Sequence, residues 1–188
     1  VVSFTTHKVL RGPRGGMILS KEKHAAAVDK AVFPGIQGGP IMSAVAGKAV
    51  VLKECATPAY QEYAKKVIEN CKALANDLQS EGMRAVSGGT QTHLALIDIR
   101  STGVNGKVAD ERCGKSGISL NKNSIPFDPE SPAVTSGIRV GTAAITTQGM
   151  GKEEMKVIAG LIARAIKDGD DESKAKEIKS EIHQLTKK

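Results

Sequence analysis

The side chains best suited to chemistry gather near the start of the chain, in SFTTHKVLRGPRGGMIL, Ser3 to Leu19. A lysine becomes nucleophilic toward carbonyl groups when burial or neighbouring cations make its ammonium less stable, and Arg11 and Arg14 follow Lys8 within one short loop. The stretch suits a Schiff base with an aldehyde, and it equally suits an ordinary lysine on an exposed hairpin turn. In Gln37-Gly38-Gly39-Pro40, a glycine-rich turn opens toward a helix-like run, so that backbone N–H groups either cradle a phosphate or merely turn the chain. Arg139, in TSGIRVGT, lies inside a short apolar strand pattern where a cation needs a partner. A ligand carboxylate gripped in a forked geometry would supply one, as would an internal Asp or Glu. Asn121, Asn123 and Ser124, in NKNSIPFDPESP, form a donor-rich loop that reads as turn chemistry or as a polar clamp.

The elements that must carry these residues follow from periodicity and turn signals. Val1-Val2 and Met17 to Leu19 read as strand, and Glu22 to Val32 as an alanine-rich helix that stops before Phe33-Pro34-Gly35. Ile41, Val45, Ala49 and Leu52 recur at helical spacing and predict a mostly buried helix. Thr57-Pro58 is a helix start, and Tyr60, Tyr63, Ala64, Val67, Cys71, Leu74 and Leu78 carry a long amphipathic helix to a capping Gly82. Strands are predicted at Arg84 to Val86, His93 to Ile99, Ile118 to Leu120 and around Ile138 to Val140, with a helix from Lys107 to Lys115. Two helices follow, on Met155, Ile158, Ile162 and Ile166 and on Ile178, Ile182 and Leu185, separated by the acidic turn Asp168 to Glu172. The latter part is thus a small α+β unit with helices on one face of its strands.

Composition narrows the function classes. The chain has 188 residues, 40% of them apolar and a quarter charged, as a soluble globular protein does. No window approaches the roughly 18 unbroken apolar residues of a membrane span, which argues against a membrane partner and for a cytoplasmic setting. Cys55, Cys71 and Cys113 are too widely spaced for a zinc site, and free thiols suit a reducing compartment. No paired metal ligands emerge: His93 heads an apolar strand as a satisfied structural histidine, while His24 and His183 fall on helix surfaces. A net charge of +7 invites an anionic partner, but with three Phe, two Tyr and no Trp there is little for nucleic-acid bases to stack on. A small phosphorylated or carboxylated ligand accounts for the charge as well.

Taken together, THKVLRGPRGG, FPGIQGGP, SGGTQTHLALID, LNKNSIP and SPAVTSGIRVGTAA occur in the order and approximate spacing of the serine hydroxymethyltransferase family, which the chain resembles from Val1 to about Thr186. The resemblance implies an α/β fold of the pyridoxal-phosphate-dependent, aspartate-aminotransferase-like type (fold type I). Residues 1–57 would be the end of the large cofactor-binding domain, 58–82 a connecting helix and 83–188 the small α+β domain. It further implies pyridoxal 5'-phosphate as cofactor, tetrahydrofolate as co-substrate, exchange of a one-carbon unit between serine and tetrahydrofolate that yields glycine and methylenetetrahydrofolate, and self-association as a homodimer or homotetramer. By this resemblance Lys8 holds the cofactor covalently, Thr5, Thr6 and His7 line it, and Arg14 lies close by. Gly38 and Gly39 match the turn whose backbone reaches the cofactor phosphate, in this family from the neighbouring subunit. Arg139 matches the arginine that binds the amino-acid carboxylate, and Asn123 with Ser131, Pro132 and Ala133 matches the region that meets the folate.

The sequence departs from the family pattern in two places. Ser43 stands where a histidine is usual, and Thr142-Ala143-Ala144 replaces a proline-containing continuation after the arginine. The family's N-terminal arm and most of its large domain are expected before Val1, with the Asp that pairs with the pyridine nitrogen, the ring-stacking His, a catalytic Glu and the tyrosines near the substrate. The expectation is therefore a C-terminal portion of an enzyme, incompetent for turnover alone. A non-catalytic oligomerisation or interaction piece of the same enzyme is the alternative.

Overall fold

The computed structural model describes residues 1–187, and the chain divides into two units, Val1–Glu62 and Tyr63–Lys188. In the first unit β1 (Val2–Thr5) pairs antiparallel with β2 (Gly16–Leu19), placing Val2 opposite Leu19 and Thr5 opposite Gly16. The Lys8 stretch is the connection of this hairpin. A tight turn at Glu22–His24 leads into α1 (Ala25–Lys30) and a wide turn at Ala31–Ile36. The stretch expected to be helical from Glu22 to Val32 is helical throughout, its winding changing along the way, and regular helical backbone ends at Phe33. Proline biases its predecessor toward extended backbone, and Phe33 sits at φ −135° before a cis bond to Pro34.

Helix α2 (Met42–Cys55) forms where helical spacing predicted one, but it is not mostly buried. Val51 is its one buried side chain, while Ile41 just before it, Met42, Val45, Val50 and Leu52 are exposed. Spacing reports which side chains share a face; what covers that face has to come from another element. Here the Lys8 loop supplies a cover only near Gly47, Lys48 and Val51, where Pro13, Gly16 and Gly12 approach.

Helix α3 (Pro58–Ser80) starts as expected, with the Thr57 hydroxyl accepting from the Tyr60 N–H at 3.3 Å. The division between the two units falls within its first turns. Val67, Cys71, Leu74 and Leu78 form its buried stripe. It stops at Gly82, whose φ of +86° lets the Met83 N–H return to the Leu78 carbonyl at 3.2 Å.

The second unit is built on a four-stranded antiparallel sheet, in the order β3 (Arg84–Ala85), β4 (Leu94–Asp98), β6 (Gly137–Gly141) and β5 (Asn121–Asn123). Directly opposed residues of an antiparallel pair share a face, and successive residues alternate. Ala85, Ala95, Ile97, Ile138 and Val140 are buried in one core with side chains of α3, α4 (Gly106–Lys115), α6 (Lys152–Asp168) and α7 (Glu172–Thr186). By register, Arg84, Leu96, Asp98, Arg139 and Asn121 occupy the opposite face.

Two details differ from the periodicity reading. Ile118 to Leu120 is not a strand: Gly117 at φ +84° ends α4, the Ile118 N–H is taken by the Cys113 carbonyl at 2.8 Å, and pairing begins only at Asn121. A short helix, α5 (Ala143–Thr147), also follows β6.

Candidate functional site

In the first unit the connection from Thr6 to Gly15 is tied by its own backbone and polar side chains. Thr6 is fully buried; its N–H donates to the Gly15 carbonyl at 3.0 Å and its hydroxyl to the Pro13 carbonyl at 2.7 Å. The Gly12 N–H returns to the Thr6 carbonyl at 2.8 Å, and the Arg11 N–H to the Lys8 carbonyl at 2.8 Å, with Arg11 at φ +61°. His7 Nδ1 lies 3.3 Å from the Gly15 nitrogen and accepts from it. Two outside groups pin the same loop: Lys48 Nζ donates to the Gly16 carbonyl at 3.0 Å and the Tyr60 hydroxyl to the Val9 carbonyl at 3.2 Å. The Arg11 guanidinium rests 5.6 Å from the centre of the Tyr60 ring.

Lys8 and Arg14 stand apart from this framework. Both are exposed, and neither side chain has a hydrogen bond or ion pair among the described residues. Thr5 is exposed at the end of β1, whereas Thr6 and His7 face inward and hold the loop. Gly38 and Gly39 are exposed too, and a Cβ added at either would meet no atom within 4 Å. Internal packing thus does not explain their glycines, and the backbone is open to a ligand of the kind the sequence suggested. Ser43 is exposed in the first turn of α2.

In the second unit Arg139 is not the buried cation its apolar neighbours suggested. Ile138 and Val140 point into the core and turn Arg139 outward, where Nη2 donates to Asn121 Oδ1 at 3.3 Å. No carboxylate reaches its guanidinium among the described residues. The internal salt bridge that would have explained this arginine structurally is therefore missing. Asn123, on β5, spends its amide N–H on the Ser124 carbonyl at 2.8 Å. Ser131, Pro132 and Ala133 are exposed in the loop leading to β6, held in place as the Ser131 carbonyl accepts from the Val134 and Thr135 N–H groups and Lys122 Nζ donates to the Ala133 carbonyl.

Two carboxylates that sequence reasoning passed over organise this region. Asp128 accepts from the N–H groups of Ile125, Glu130 and Ser136 and from the Ser136 hydroxyl, at 2.6 to 3.0 Å. Desolvation would raise its carboxyl, but these bonds outweigh it and hold the group well below the usual carboxylate range. Asp98, 4% exposed, accepts from both Arg84 and Arg100 at 2.8 to 3.2 Å. Chiefly through the Arg100 hydrogen bonds, against a desolvation cost, its pKa is held at about 2. The signal for Asp128 was present in the Ile-Pro-Phe-Asp-Pro turn composition; the Asp98 cluster depends on strand register, which composition does not reveal.

Other groups are quiet. Burial pushes the Cys71 thiol up to about 11 and the Cys113 thiol to about 12, so both stay protonated. His93, expected to be satisfied, is half-buried and its ring has no hydrogen bond among the described residues; its carbonyl accepts from the Thr142 N–H at 3.2 Å. Among the described residues no cluster of His, Cys, Asp or Glu is arranged for a metal, and no helix is long and apolar enough to cross a membrane.

Comparison with known proteins agrees with the motifs. Residues 1–162 match the protein family described as serine hydroxymethyltransferase. A curated relative, "Serine hydroxymethyltransferase" of Myxococcus xanthus (strain DK1622), is 50% identical over 186 residues, covering 99% of this chain. The chain spans 44% of that relative's length.

Proposed function

Because the chain belongs to the serine hydroxymethyltransferase family, we propose that its residues serve pyridoxal-phosphate-dependent hydroxymethyl transfer, converting serine and tetrahydrofolate into glycine and 5,10-methylenetetrahydrofolate. The observation that carries this reading is the contrast within the Lys8 loop. Thr6, His7 and Lys48 are committed to fixing the loop, and the Lys8 ammonium is left exposed, with no partner among the described residues. A fixed backbone with a free amine is what attachment of an aldehyde requires.

The residues present fit the cofactor. Lys8 would hold it covalently, Gly38 and Gly39 contributed by a neighbouring subunit would receive its phosphate on open backbone, and Thr5, Arg14 and the loop held by Thr6 and His7 would border it. When bound, pyridoxal phosphate supplies an electron-withdrawing ring that stabilises charge on the substrate carbon. Arg139 would take the substrate carboxylate in a forked pair, which orients the amino acid. Asn123 and the Ser131–Ala133 segment would contact the folate, in a loop whose shape Asp128 sets before any ligand arrives.

Addition of pyridoxal phosphate to the protein should give a new absorbance band that Lys8→Ala abolishes. A band that survives this substitution would overturn the assignment of Lys8. A second reading, a piece acting through self-association as a homodimer or homotetramer, is favoured by the exposed Phe33, Ile36, Ile41 and Met42 of the first unit. Dimerisation in sedimentation without the absorbance band would support it over catalysis. On the enzyme reading the protein works in the cytoplasm, in one-carbon and glycine/serine metabolism.

A further inference from the structure

Arg84, Asp98 and Arg139 share the outer face of the second unit's sheet; Arg84 pairs with Asp98, whereas Arg139 has no carboxylate partner among the described residues. The register explains why this needs attention. Asp98 is directly opposite Gly137 on β6, and Arg139 lies two residues further along the same strand, on the same face. Such diagonal neighbours lie about 7–8 Å apart, within reach of a long side chain. Gly137 contributes no side chain to stand between them. Asp98 is moreover the one acidic residue in the four strands, whose sequences are RA, LALID, NKN and GIRVG. It is the natural partner for Arg139, yet Arg139 binds only the neutral Asn121.

What prevents the pairing is already on the structure. Arg84 donates through Nε and Nη2 to one Asp98 oxygen at 3.1 and 2.9 Å. Arg100 grips both oxygens, through its backbone N–H, Nε and Nη2, at 2.8 to 3.2 Å. Six hydrogen bonds, from Arg84 on β3 and from Arg100 just after β4, saturate the acceptor capacity of this carboxylate. We infer that Arg84 and Arg100 are positioning residues: by saturating Asp98 they keep the Arg139 guanidinium available for an external carboxylate. The inference rests on the proposed role of Arg139 in binding the amino-acid substrate. Two arginines on one aspartate, a surplus if stability alone were at stake, become a way of removing an internal competitor.

The test is a charge-rescue cycle in the catalytically complete protein carrying this chain. In the Arg84→Gln/Arg100→Gln variant, Asp98 is released and should pair with Arg139. The expected result is a KM for serine raised about threefold to tenfold with kcat little changed, since a charge-assisted pair must be broken before substrate binds. The Nε–H NMR resonance of Arg139 should shift and exchange more slowly with solvent. Adding Asp98→Asn removes the competitor's charge and should restore both readouts, which a purely structural role for the arginines would not do. If the double variant does not fold, Arg100→Gln alone is measured, with the same direction and a smaller size expected. Unchanged KM and resonance in the arginine variants, or no rescue by Asp98→Asn, would overturn the inference. A different outcome separates the underlying reading: if Arg139→Ala leaves the serine KM unchanged while the resonance still responds to Arg84 and Arg100, the charge exchange stands and the substrate role of Arg139 falls.

Discussion

The two units treat their apolar residues in opposite ways. In Tyr63–Lys188 the side chains of Cys71, Leu74, Leu78, Ile97, Ile138, Met155, Ile162 and Ile166 close into one core with exposures of 2% or less. In Val1–Glu62 only Thr6 and Val51 are buried, and the apolar side chains of α2 and its approach stand in solvent. Burial of apolar area is the main driving force of folding. The second unit therefore has an apolar core of its own, while the first is held by the β1–β2 pairing, by hydrogen bonds within one loop and by that loop's contacts with α2. The contrast teaches that hydrogen bonds can fix the Lys8 loop where the described residues supply little apolar cover.

The largest effect expected from breaking this contrast is a core truncation. Ile138→Ala should cost about 2–5 kcal/mol in urea unfolding, whereas Val50→Ala, at a 59% exposed position on α2, should stay within about 0.5 kcal/mol. Comparable losses at both sites would show that α2 is covered in solution.

Next in size is the buried polar bridge of Asn70, which donates to the Thr146 hydroxyl and the Met150 carbonyl, both at 2.9 Å. Asn70→Leu should destabilise by roughly 1–3 kcal/mol, because the Met150 carbonyl loses a donor that the core cannot replace. Thermal melts of the two proteins check it.

A pH titration separates the units further. Asp98 has a folded pKa of about 2, below its unfolded value, so its contribution is complete above about pH 4 and is lost as pH falls through 2. The size is at most on the order of 2 kcal/mol, reduced because Arg84 and Arg100 are each more than half exposed. Asp98→Asn should flatten that acid limb of the stability curve for the second unit and leave the first unit's response alone.

The smallest stability effect, and the sharpest functional contrast, lies among the glycines of the first unit. A Cβ at Gly12 would meet the Thr6 carbonyl oxygen and Val51 Cγ1, both at 2.8 Å, so Gly12→Ala should disturb the Lys8 loop itself. At Gly39 the space is open, and Gly39→Ala should leave the circular dichroism unchanged while weakening pyridoxal phosphate uptake. Equal uptake by Gly39→Ala and the parent protein would remove that turn from the site.

Legibility in the sequence followed the same divide. The stripe Val67, Cys71, Leu74 and Leu78 and the spacing of Met155, Ile162 and Ile166 announced helices whose burial is settled inside one unit, and the structure has them. The spacing of Ile41, Val45 and Leu52 announced a helix equally well, but burial depends on what lies opposite, which periodicity does not encode. Ile118 to Leu120 has the apolar ends of a strand, but there the chain is finishing a helix, and edge pairing falls instead to the polar Asn121–Asn123. Lys8 and Arg139 were visible as residue types from the start. That Arg139 lacks an internal carboxylate was not, because it depends on which strands are neighbours and in what register.

The four hydrogen bonds that Asp128 accepts, spanning Ile125 to Ser136, bear on the timing of order. Immobilising a loop costs conformational entropy whenever it happens, and a segment that becomes ordered on meeting its ligand subtracts that cost from affinity. Here the cost falls in folding. Ser131 to Ala133 thus lie on a surface that the protein shapes with its own hydrogen bonds.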